Sequence, residues 1–169
     1  MANAFESNNE APISVKKLVL LVLTVLVGQS VSFGDIAKLR PEDRRVLQDA
    51  SRFHEIHSTT NLPPQVVSLC ADQNGRLAEP GQKWEATDYI TDIKLPGRRL
   101  IWAASDGEYY VVHYERGGYV HSYHVLVAKV QPESAKAERL WGGFGKPLKD
   151  YKEFLAAMES KSMSDESGK

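Results

Sequence analysis

The sequence predicts an α+β domain, an antiparallel meander sheet of three to five strands with two helices before it and one after it packed against it. Three observations carry this. The stretch from 98 to 130 alternates aromatic and β-branched residues around Asp106-Gly107 and Gly117-Gly118, and such dipeptides supply the positive φ that two-residue hairpin turns need. Ahead of it, apolar residues recur at three- and four-residue spacing behind prolines suited to a first helical position. After it, Leu148, Tyr151, Phe154, Leu155 and Met158 fall on one helical stripe.

Composition narrows the functional classes. A chain of 169 residues suits one domain with a real core and is short for two. With 42% hydrophobic and 25% charged residues it is not wholly disordered. Phosphate backbones attract strongly basic surfaces, so 21 basic against 22 acidic residues argue against a dedicated nucleic-acid binder. The single Cys70 cannot form an intramolecular disulfide, and stability has to come from packing.

Lys16 and Lys17 precede an apolar run over 18–27, broken by Thr24 alone and followed by Gly28, Gln29, Ser30, Val31 and Ser32. That is the order of a secretory signal, and the run is shorter than the roughly 20 residues that span a bilayer. Residues 1–34 are therefore expected to be a signal peptide cleaved after Ser32 or Gly34, giving a secreted or periplasmic protein. One alternative is an uncleaved anchor, with Val31 and Phe33 extending the apolar character, and membrane contact is expected only through such a segment. Another is a buried helix of the fold. Glu6 and Glu10 make the leading region long and acidic for a signal, and a start at Val15 would give a conventional one. No cysteine follows the run, so a lipoprotein start is not supported.

The folded domain is expected over 35–159. Pro41, Glu42 and Asp43 suit a helix amino terminus, and Val46, Leu47, Ala50, Phe53 and Ile56 extend a helix over 41–57. His54-Glu55-Ile56-His57 lacks the histidine spacing of a zinc-protease helix and reads as its polar end. Pro63-Pro64 opens a short helix carrying Val66, Val67, Leu69 and Cys70. Cys70 lies on its apolar stripe, a place for a small buried hydrophobe rather than a nucleophile. The turn over 72–75 lacks the carboxylate spacing of a calcium loop. Trp84, Tyr89, Ile90 and Ile93 suggest one strand over 81–93.

Counting outward from two-residue turns sets the register. Trp102 then pairs with Val111, Leu100 with His113, Val111 with His124, and His113 with Ser122. One face holds Leu100, Trp102, Tyr109, Val111, His113 and His124, while the other holds Arg99, Ile101, Tyr110, Val112, Tyr114, His121 and Tyr123. Neither is polar throughout, so one should pack on helices and the other be partly covered or bind something. Tyrosine and arginine give large, rigid contact area with polar tips, which makes Tyr110, Tyr114, Tyr119, Tyr123, His121 and Arg99 the candidate binding residues. The alternative is that the tyrosines line the core edge. His113 and His124 come out as diagonal neighbours, candidates for a shared metal or an acid–base pair, although no third ligand or nucleophile lies in register. Glu115 is expected to pair with Arg98. No metal site and no cofactor is implied.

Beyond the sheet, 131–136 is a polar connection, 137–141 a short strand and 141–145 an aromatic-pinned turn without the lysine-serine ending of a phosphate loop. Pro147 opens the last helix, and 160–169 reads as a disordered tail. Two functional readings follow. The first is a small exported binding or interaction module that uses the aromatic-rich sheet face for an unknown protein or small ligand. The second is a histidine-dependent hydrolase or metal-binding protein built on the central hairpin.

Overall fold

Arg98–Ser105, Tyr109–Arg116 and Ser122–Val130 form the antiparallel ladder expected over 98–130, and they are the middle of a larger sheet. The structure, a computed structural model, describes residues 39–89 and 92–166. The expected signal segment over 1–34 lies outside them. In chain order the elements are α1 (Pro41–Gln48), β1 (His54–Ile56), α2 (Pro64–Cys70), β2 (Arg98–Ser105), β3 (Tyr109–Arg116), β4 (Ser122–Val130), β5 (Ala137–Gly145), α3 (Tyr151–Glu159) and β6 (Ser164–Asp165). The fold is α+β, with one six-stranded sheet ordered β1-β2-β3-β4-β5-β6 and every neighbour antiparallel. Among the described residues six strands replace the expected three to five.

The extra strands come from segments with a misleading local pattern. Phe53 and Ile56 share a helical stripe with Leu47 in sequence, yet α1 stops at Gln48 and 54–56 pairs along Ala103–Ser105 as edge strand β1. Phe53 then packs on one side of the sheet and Ile56 on the other, which strand geometry allows and one helix face does not. The glycines of 141–145 lie inside β5 rather than in a turn. A Cβ on Gly143 would strike the Trp141 ring, so that position needs the smallest residue, while one on Gly142 would displace the end of the Arg139 side chain. Where 160–169 suggests a disordered tail, Met163 is buried in the core and Ser164–Asp165 pairs with β5. Of the strand expected over 81–93, the described residues show an isolated bridge between Thr87 and Gly118.

Both turns differ from the two-residue geometry assumed. The first is displaced by one position: Asp106 N–H donates to Tyr109 O at 3.3 Å, and Asp106 Oδ1 accepts from the amides of Glu108 and Tyr109. Gly107 takes φ +97° there, and Trp102 pairs with His113 instead of Val111. A two-residue change of partner leaves side chains on their expected sides. A bulge between Leu100 and Trp102 then moves Leu100 to the face opposite Trp102, where it pairs with Tyr114. The second connection has five residues instead of two, with Arg116 pairing Ser122 across 117–121. That odd displacement turns β4 over.

The glycines explain this. Gly117 donates to Gly97 O at 3.1 Å and sits where a Cβ would collide with the Glu85 carbonyl, and Gly118 bridges Thr87. Gly117 serves close approach of a neighbouring segment and Gly118 takes φ +136° with open space around it, and neither makes a two-residue hairpin bend.

Both faces of the sheet are covered. On one, α1 and α3 bury Trp102, Val111, Val125 and Val127 beneath Leu47, Tyr151, Phe154 and Met158. On the other, α2 places Val66 and Cys70 over Leu100, Val112, Tyr114 and Leu126. The central strands are apolar on both sides for that reason. The last helix begins at Tyr151 rather than at Pro147, capped by Asp150, whose side chain accepts from Glu153 N–H at 2.8 Å.

Candidate functional site

His113 and His124 lie on opposite faces. His113 is fully buried beside Trp102. Its Nε2 accepts from Leu148 N–H at 3.0 Å, which requires Nδ1 to carry the proton and donate to His124 O at 2.8 Å. Burial holds its pKa below the ordinary 6.5. Trp102 Nε1 donates to Leu148 O at 2.8 Å, so the two side chains clamp both backbone groups of the residue leading into α3. His124 stacks on Tyr114 with ring centres 5.3 Å apart and bonds Ser122 Oγ through Nε2 at 2.8 Å. Its Nδ1 lies 3.2 Å from Glu166. That approach, helped by Arg139 and opposed by burial, holds the Glu166 carboxyl down to about 2. The two imidazoles therefore share neither a metal nor a proton. Among the described residues no group of three or more His, Cys, Asp or Glu is placed to hold a metal ion.

The tyrosine cluster divides as well. Tyr110 and Tyr114 are buried on the α2 side, and burial pushes the Tyr114 hydroxyl up to about 12. Tyr123 projects from the other face, its ring 6.3 Å from that of His113. Tyr119 is 95% exposed on the 117–121 connection. Burial pushes the Cys70 thiol up to about 12, in keeping with its reading as a small hydrophobe.

Three of the expected binding residues do meet. Arg99 donates through Nε and Nη2 to Glu115 Oε1 at 2.9 and 2.7 Å, and its guanidinium lies 5.3 Å from the Trp84 ring centre. Glu115 Oε2 bonds His121 Nε2 at 2.7 Å. The His121 ring stands edge-on to Trp84 at 5.3 Å and tilts over Tyr123 at 4.9 Å. Glu115 thus pairs with Arg99 and His121, not with Arg98 as expected. The buried carboxylate fixes a cation and an imidazole side by side, and two aromatic rings hold them in place.

Trp84 and Glu115 were not legible as members of this group. Trp84 reaches it through a loop that the pattern read as a strand, and Glu115 is aligned with Arg99 by the bulge, which a count from ideal turns does not contain. Around the cluster, Tyr89, Ile93, Tyr119 and Val120 are all at least 74% exposed, and the Thr87–Gly118 bridge ties the 85–89 and 117–121 segments together. Next to them lies a cleft of about 430 Å³ between the 72–76 turn, residues 85–88 and 93–95, and the open end of the β2–β3 hairpin. In comparisons with known proteins, the chain matches no family model, no curated protein and no solved structure.

Proposed function

We propose that this chain is a small exported binding module whose contact surface is the loop end of the sheet. The observation that carries the reading is the gathering of Tyr89, Tyr119 and Val120, all strongly exposed, on two bridged segments beside the fixed Arg99–Glu115–His121–Trp84 group. Exposed large apolar side chains next to rigid aromatic and arginine anchors are what interface centres are made of. A scaffold covered on both faces leaves its ends for recognition. Export is supported by the order of lysines, apolar run and small residues over 16–32.

The test places a photo-crosslinking amino acid at position 119, and separately at the exposed Lys152 of α3, in cells that make the protein. The expected result is a discrete adduct from position 119, carried by a chain shortened near residue 34 and recovered outside the cytoplasm. Adding Tyr119→Ser and Val120→Ser to a crosslinker at position 89 should remove its adduct without lowering Tm. Equal labelling from 119 and 152 would sink the surface, and a full-length cytoplasmic chain would sink export.

A further inference from the structure

Arg98 and Arg116 are direct cross-strand partners at the open end of the β2–β3 hairpin. Like charges set directly opposite one another on neighbouring strands repel and destabilise the pair. Neither arginine makes an ion pair among the described residues. Arg98 gives Nη1 to the carbonyls of Cys70 and Ala71 at 3.2 and 2.7 Å and lays its guanidinium 5.6 Å from the Tyr114 ring centre, while Nε and Nη2 make no hydrogen bond there. Arg116 is exposed, with every side-chain donor unused among the described residues.

Both line the cleft of about 430 Å³, a size within the roughly 300–1,000 Å³ of small-ligand sites. The other charges on its walls are largely committed. Asp72 accepts the backbone N–H groups of Asn74, Arg76 and Gly97 at 2.8, 3.0 and 3.0 Å, and Glu85 accepts that of Asp92 at 2.8 Å. Arg76 spends Nη1 on the carbonyls of Ile93 and Lys94. The lining balances Asp72, Glu85 and Asp88 against Arg76, Arg98 and Arg116, and the hydrogen-bonding capacity left unused at the Arg98–Arg116 end is donating, in a cleft also lined by Ile93 and Leu95. Asp88, exposed in the same lining, disfavours an extended polyanion.

We propose that the Arg98–Arg116 pair binds the oxyanion group, carboxylate or phosphate, of a small ligand whose apolar part lies along Ile93 and Leu95. Guanidinium forks suit both anions, and an anion between them removes the repulsion built into the hairpin. The inference goes beyond the contact surface described above, since none of Trp84, Tyr119, His121 or Tyr123 lines the cleft.

The experiment is an NMR titration of the labelled full chain with sodium phosphate and, separately, sodium acetate, with sodium chloride holding ionic strength constant. The expected result is saturable movement of amide signals from 97–98 and 116–118 with at least one anion, and the tighter of the two names the ligand class. Arg116→Gln, at an exposed position that leaves the fold intact, should weaken that binding about tenfold. Shifts that do not saturate with either anion would overturn the proposal. So would equal binding by Arg116→Gln, or shifts spread over surface lysines away from the cleft.

Discussion

His113 shows how much one side chain can be asked to hold. Its ring satisfies the Leu148 N–H and the His124 carbonyl in a fully buried place, and it can accept from Leu148 only while neutral. Replacing it with alanine leaves two buried polar groups unpaired and should cost about 3 kcal/mol in denaturant unfolding. A pH effect follows from the same geometry. The folded-state pKa lies below the ordinary 6.5, so as pH falls the unfolded chain takes up the proton first. Stability from this residue is full above that value and declines below it, as pH falls toward and through the folded-state pKa. Urea melts from about pH 8 down to about pH 5 should show the wild type losing more stability than His113→Gln. An equal loss in both would remove His113 as the cause. The sequence marks His113 as a sheet residue and offers it for metal or acid–base work. Its partner is 35 positions away in sequence, and no local pattern announces such a contact.

Elements were legible where one strong local pattern acted alone. The two-proline start and apolar stripe of α2, and the buried stripe of Tyr151, Phe154 and Met158 in α3, follow from spacing because each helix docks one face on the sheet. Register was not legible, because it depends on what the glycines touch. Gly107 needs its left-handed conformation with open space around it, whereas Gly117 needs room for the Glu85 carbonyl. Both read as turn residues in sequence. The distinction is measurable: Gly107→Ala should cost about 1 kcal/mol through backbone strain alone. Gly117→Ala should cost about 2 kcal/mol or more and displace the 85–87 segment, seen as amide shift changes there and at Gly97. If the two substitutions cost the same and leave 85–87 unmoved, the close approach does not set the length of this connection. The candidate site shared this fate: Arg99, His121 and Tyr123 were named from residue type, but their grouping required the bulge and the five-residue connection.

At the scale of the molecule, the segment after α3 is structural. Met163 is buried, Trp141 Nε1 donates to Asp165 at 2.6 Å, and Glu166 pairs with Arg139 while its amide donates to Gly142 O at 2.9 Å. A chain ending at Ser160 should therefore be less stable by about 2–4 kcal/mol and leave Trp141 open to a fluorescence quencher. Unchanged stability would restore the reading of this segment as a tail. The first and last helices are also joined directly, since the Tyr151 hydroxyl donates to Leu47 O at 2.7 Å and the Tyr151 ring stacks on Phe53 at 4.7 Å. Tyr151 and Leu47 are 104 positions apart, while Asp43 of α1 already accepts from the Tyr109 hydroxyl at 2.8 Å, so α1 meets the sheet first and gains its helical neighbour only once residue 151 has been made. The helical layer on this side is consequently sealed late, after the strands beneath it are in place.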